Sequence, residues 1–146
     1  LTPILLISFI YFSKKKKNTH HREIFMGILS FIVIAGIISY IGYSILAPWL
    51  TLFLLGKKFI IINPYLPKAA LFGTFYSIVV LINNYFLAKK NPMVLLMPIL
   101  VFFYCFLLFI LKKNISTIIH FNIIFSFIAV IIHIGMYTRQ SFKQGS

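Results

Sequence analysis

The chain has 146 residues, of which 61% are hydrophobic and only 10% are charged, against roughly 25% charged in an ordinary soluble domain. Its net charge of +13 comes from 14 Lys and Arg against one acid, Glu23. The basic residues stand in short clusters between long apolar runs, a pattern that excludes a nucleic-acid stripe on a soluble fold and fits loops beside anionic lipid headgroups.

The first apolar segment, 1–13, is too short to span a bilayer and is read as a partial helix of a chain truncated at its front. Lys14 to Lys17 follow it, whereas a signal peptide carries its basic residues in front. An uncharged run then begins at Ile24 and ends at Gly56, before Lys57 and Lys58, so it overruns the roughly 20 residues that a span needs. Pro48 removes a backbone donor and predicts a kink or break around Ser44 to Pro48. The span is therefore placed at 24–46 with a bent extension to 55, Trp49 in the interfacial belt and Gly56 as the cap. Small and polar residues Ala35, Gly36, Ser39, Gly42 and Tyr43 share one face, which predicts close helix packing.

Pro64 and Pro67 bracket the start of the next span, 66–88, as the first turn of a helix allows. It gathers Ala69, Gly73, Tyr76, Ser77, Asn83 and Asn84 on one side. The fourth segment, 93–111, is apolar nearly all round; it is expected to face lipid, with Pro98 bending it. Cys105 in its middle is read as a small packing residue. The last span, 115–137, carries a stripe of Asn122, Ser126, Ala129 and His133, with Ser116 and His120 on the other side.

All spans are read as helices, because lipid-exposed single strands leave backbone groups unpaired in hydrocarbon. The expected fold is thus an all-α integral membrane bundle of four full transmembrane helices plus the partial one, in a single membrane domain covering 1–146. Lys14 to Lys17, Arg22, Lys89, Lys90, Arg139 and Lys143 fall on one side; Lys57, Lys58, Lys68, Lys112 and Lys113 fall on the other. The richer side is assigned to the cytoplasm, together with the C-terminus.

With Lys68 counted in the outer loop, no span interior holds Asp, Glu, Lys or Arg, so an intramembrane carboxylate for ion coupling is missing from this portion. His20 and His21 lack Cys or Asp partners for a metal. Glu23 suits the start of a helix through the helix dipole. No phosphate loop, carboxylate pair or Ser, His and Asp set appears, so neither an enzyme nor a cofactor is expected. Candidate cavity residues are Tyr76, Ser77, Asn83, Asn84, His120 and Asn122, with helix packing as the plainer role for each.

Several motifs recur in a fixed order. A helix runs through Ala47-Pro48, an apolar stretch closes with Leu55-Gly56-Lys57-Lys58-Phe59, and the next helix ends Asn83-Asn84-Tyr85-Phe86-Leu87-Ala88 before a basic turn, Lys89-Lys90-Asn91-Pro92. This order resembles the C-terminal lobe of polysaccharide flippases in the multidrug/oligosaccharidyl-lipid/polysaccharide exporter superfamily. Two positions depart from the usual pattern: Leu55 stands where an aromatic often precedes the glycine, and the last hairpin lacks a glycine.

The resemblance implies the end of helix 8 through helix 12 of a 12-helix, two-lobe transporter in the bacterial inner membrane, working by alternating access. Its implied substrate is a polyprenyl-pyrophosphate-linked saccharide, its surroundings membrane lipid, and its partner the remaining N-terminal lobe, which would supply most of the basic cavity residues. No nucleic-acid partner is implied. The competing expectations are a multidrug cation antiporter of the same superfamily, a membrane-embedded glycosyltransferase or polymerase, and a small structural membrane protein without transport activity.

Overall fold

The computed structural model describes residues 18–111 and 114–144. The expected partial span at 1–13 and the lysines at 14–17, 112 and 113 lie outside them. The described chain is all-α. Helix α1 spans Asn18–Leu54, α2 Leu66–Ala88, α3 Leu96–Ile110 and α4 Ile115–Gln144, with 3-10 segments at Lys57–Tyr65 and Pro92–Leu95. Four helical stretches, Glu23–Leu54, Lys57–Ala88, Pro92–Ile110 and Ile115–Arg139, are long and apolar enough to cross a membrane, as a multi-pass membrane protein requires.

Helix α1 is a single element of 37 residues with Pro48 inside it, so the expected break at Ser44 to Pro48 does not end the helix. At 1.5 Å per residue it is roughly 55 Å long, well beyond a hydrocarbon core of about 30 Å. It stops at Gly56, as expected. The amides of Leu55 and Gly56 both donate to the Thr51 carbonyl, and Gly56 takes φ 84 and ψ 171, a backbone region that only glycine enters without strain. A Gly56→Ala variant is expected to lose about 1–2 kcal/mol of stability in detergent unfolding.

Helix α2 begins as expected, with Pro67 in its first turn. It ends in a Schellman motif: the Asn91 amide reaches the Phe86 carbonyl at 2.9 Å and the Lys90 amide reaches that of Leu87 at 3.0 Å. The left-handed position of this motif is usually glycine, and here it is Lys90, at φ 52. Lys90→Gly is therefore expected to stabilise the chain by about 0.5–1 kcal/mol, read as a shift in the same unfolding transition.

The Asn91 side chain accepts from the Met93 amide at 2.9 Å and starts the second 3-10 segment. Pro98 lies in the first turn of α3 rather than in its interior. Lacking an N–H, it cannot complete an α-type bond to the Val94 carbonyl, and the chain is 3-10 through Leu95. The expected bend is thus a change of helix type at the start of the span.

The core lies where α1, α2 and α4 meet. Phe25 and Ile32 from α1, Leu81, Ile82 and Phe86 from α2, and Ala129 and Val130 from α4 are buried together. Helix α2 is the middle element, packing on α1 and on α4. Three pairs, Lys68 with His120, Phe75 with Phe127 and Tyr85 with Tyr137, share one separation of 52 residues. A constant offset along the whole contact means that α2 and α4 run parallel and in register. Helix α1 runs antiparallel to them, with Phe25 against Tyr85 at one end and Gly36 against Thr74 further along.

Helix α3 buries none of its residues in this packing, and Phe102 and Phe109 are 77% and 85% exposed. That agrees with the expected lipid-facing span. It is tied to α4 by the Tyr104 ring, which packs on Phe121 and Phe125, and by the Tyr104 hydroxyl, which donates to Asn122 Oδ1 at 2.7 Å. A Tyr104→Phe variant removes only that polar tie and is expected to cost about 0.5–1 kcal/mol in an unfolding measurement in bicelles.

Candidate functional site

The small residues of α1 fall into two groups by their position along the helix. Gly36 is buried, and a Cβ there would overlap the side chain of Thr74 on α2. The two helices are in close contact here, and the chain below this contact, through Ile32 to Phe25, is buried in the core. Beyond Gly36 toward the 3-10 segment two gaps open between the helices. The first gap, about 350 Å³, is lined by Gly36, Ser39 and Tyr43 from α1 and by Ala69, Gly73 and Thr74 from α2. Tyr43 also lines the next groove, of about 580 Å³, shared by α1, the Lys57–Tyr65 segment, α2 and Ile123 of α4.

That larger groove holds the most varied polar chemistry among the described residues. Tyr40, Tyr43 and Ser44 project from α1 at positions three and four apart, one face of a helix. Asn63 enters from the 3-10 segment with its Oδ1 buried and without a hydrogen-bond partner. Pro48 has no N–H to offer the Ser44 carbonyl, so that acceptor is left without its usual bond within the helix. The Ser44 hydroxyl donates back to the Tyr40 carbonyl at 2.8 Å.

Lys68 supplies the charge. It stands in the first turn of α2, within the span expected at 66–88, so the expectation that no span holds a basic residue fails here. A cation at a helix N-terminus is unfavourable with respect to the helix dipole, so its contacts matter. Its Nζ lies 3.2 Å from His120 Nε2 and 5.8 Å from the centre of the Tyr65 ring. His120 Nδ1 donates to the Ser116 carbonyl at 2.7 Å, which leaves Nε2 as the acceptor for Lys68. The single acidic side chain, Glu23, is near the opposite end of α1, so among the described residues no carboxylate faces this ammonium.

The six expected cavity residues do not converge. Ser77 is buried and bonds the Gly73 carbonyl at 2.8 Å, while Tyr76 is half exposed on a different side. Tyr76 lines an apolar groove of about 220 Å³ between α2, α3 and α4, with Tyr104 and Phe125. Asn122 is occupied by Tyr104. Asn83 has a buried Oδ1 without a partner, and Asn84 is half-buried beside it, far along α2 from the groove. Only His120 belongs to the polar end, through Lys68.

His133, expected in the packing stripe of α4, is fully buried there. Its Nδ1 donates to the Ala129 carbonyl at 2.8 Å, and Nε2 has no partner. Among the described residues no group of three or more His, Cys, Asp or Glu is placed to hold a metal ion.

The sequence carried a signal for Lys68 that hydropathy counting overlooked. Pro67 marks the first turn of a helix, which puts the next residue inside it. Tyr40, Ser44 and Asn63 had no such signal, since they meet only through the fold of the α1 to α2 connection. No protein-family model, curated protein or solved structure matches this chain.

Proposed function

We propose that the chain is the C-terminal lobe of a flippase that moves polyprenyl-pyrophosphate-linked oligosaccharide across the bacterial inner membrane for cell-surface polysaccharide synthesis. The observation that carries this reading is how the ordered motifs fall on the elements. Ala47-Pro48 lies within an overlong helix, Gly56 terminates it, a 3-10 connection follows, and the Asn83 to Ala88 sequence closes the next helix before a tight basic turn. Charge asymmetry supports an orientation with the Lys89-Lys90 turn and the C-terminus in the cytoplasm and the polar groove facing outward.

In this reading the N-terminal lobe packs against the apolar face of α1, where Ile34, Ile38, Ile45 and Trp49 are exposed, and α3 faces lipid. The two lobes rock around a shared cavity while the substrate's lipid chain stays in the bilayer. This chain's contribution is a closely packed inner end of α1, α2 and α4 and a grooved outer end, a geometry suited to opening on one side only.

The test is reconstitution of the protein, with any upstream coding sequence, into liposomes loaded on one leaflet with a fluorescent polyprenyl-diphosphate saccharide. Protein-dependent appearance of the probe on the other leaflet is expected. Absence of translocation, or equal export of small organic cations with no movement of the saccharide lipid, overturns the proposal; the second outcome favours a cation antiporter.

A further inference from the structure

We infer that the groove between α1, the Lys57–Tyr65 segment and the start of α2 binds the headgroup of an anionic phospholipid that carries free hydroxyls, such as a phosphoglycerol. This goes beyond the transport reading and does not rest on it. The walls of the groove, about 580 Å³ in volume, combine one ammonium with groups that both donate and accept hydrogen bonds.

Lys68 is held in place by His120, which accepts one of its three protons and leaves two free to point elsewhere. A phosphate diester carries one negative charge and offers oxygens to such donors, and among the described residues no carboxylate competes for the ammonium. Asn63 Oδ1, buried without a partner, is an acceptor in need of a donor, and Pro48 has no N–H to offer the Ser44 carbonyl beside it. Lipid hydroxyls supply such donors. A headgroup with phosphate alone satisfies only Lys68, and a zwitterionic choline headgroup brings a cation toward Lys68 and no hydroxyl donors.

Membrane geometry selects a lipid over a soluble polyol phosphate. Leu71 of α2 and Ile123 of α4 line the groove with apolar surface, so acyl chains can lie along the helices below a headgroup held at Lys68. The Tyr40 and Tyr43 rings at the rim have the mixed character that suits the lipid–water boundary.

The experiment is native mass spectrometry of the whole chain released from neutral detergent containing equal amounts of phosphatidylglycerol and phosphatidylcholine. Retention of phosphatidylglycerol over phosphatidylcholine by about tenfold or more is expected, the worth of a charge-assisted contact. Lys68→Gln should abolish the preference, Lys68→Arg should keep it, and Lys57→Gln, in the exposed 3-10 segment, should leave it unchanged.

Should Lys68→Gln lose its helical circular dichroism, Asn63→Leu provides the second reading and should lower the preference. Free glycerol 3-phosphate separates the sources of binding: at a concentration equal to the lipid it should fail to displace phosphatidylglycerol, and displacement overturns the choice of a lipid over a soluble polyol phosphate. Equal retention of the two lipids, or equal loss for Lys57→Gln and Lys68→Gln, overturns the inference.

Discussion

Gly36→Leu is expected to cost about 3 kcal/mol of stability, measured by unfolding in bicelles, and to separate α1 from α2 along much of their length. The atoms that a side chain at position 36 would meet are the Cβ, methyl and hydroxyl of Thr74. Thr74 is β-branched, and its hydroxyl donates to the Ala70 carbonyl at 2.8 Å, so it has little freedom to swing aside. Because the Thr74 Cβ itself is in the way, even Gly36→Ala requires the backbones to part and should cost about 1–2 kcal/mol. Thr74→Gly clears the space, and Gly36→Ala in that background should recover part of the loss. A Gly36→Leu variant as stable as the parent would mean that the two helices do not meet here.

The second large effect is expected from Phe86→Ala. Phe86 is fully buried where α1, α2 and α4 converge. In a water-soluble core this truncation costs about 3–5 kcal/mol, made up of a transfer term and a cavity term. In a bilayer the transfer term nearly vanishes, since lipid is as apolar as the core, and about 2–3 kcal/mol of lost packing remains. Phe102→Ala on α3, where the ring is 77% exposed, is the matched control and should change stability by less than about 0.5 kcal/mol. Equal losses at the two positions would contradict the assignment of α3 to the lipid face.

The positions of the helices were legible because hydropathy and helix-boundary residues agreed. Span 66–88 coincides with α2, since Pro67 marks its start and the basic turn its end. Where the two kinds of signal part, the boundaries move. Helix α4 runs past 137 to Gln144, because helical hydrogen bonding does not stop where apolar residues do. Helix α1 runs through Pro48, because a proline removes one bond while its neighbours keep theirs.

The candidate site was less legible. A helical wheel orders residues around an axis and carries no information about depth. It put Ala69, Gly73, Tyr76 and Ser77 on one face of α2, yet α2 is flanked on both sides: Gly73 opens toward α1 and Tyr76 toward α3. The polar groove lies beyond the contact of Gly36 with Thr74 and takes walls from α1, the 3-10 connection and α2 together. That is a tertiary property, invisible to periodicity. Lys68 differs: it falls inside span 66–88, and the expectation that no span holds a basic residue fails because its charge was grouped with the outer loops although Pro67 marks the first turn of α2.

The fold implies a four-span threading of the membrane with α2 and α4 parallel, and single-cysteine labelling in intact cells tests it most directly. In a Cys105→Ser background, cysteines are placed one at a time at Asn63 in the first 3-10 segment, Asn91 in the α2 to α3 turn and Asn114 before α4. A membrane-impermeant maleimide should label positions 63 and 114 from outside and reach position 91 only after the membrane is permeabilised. Labelling of position 91 together with 63 in intact cells would contradict the threading, and labelling of 91 alone would reverse its orientation.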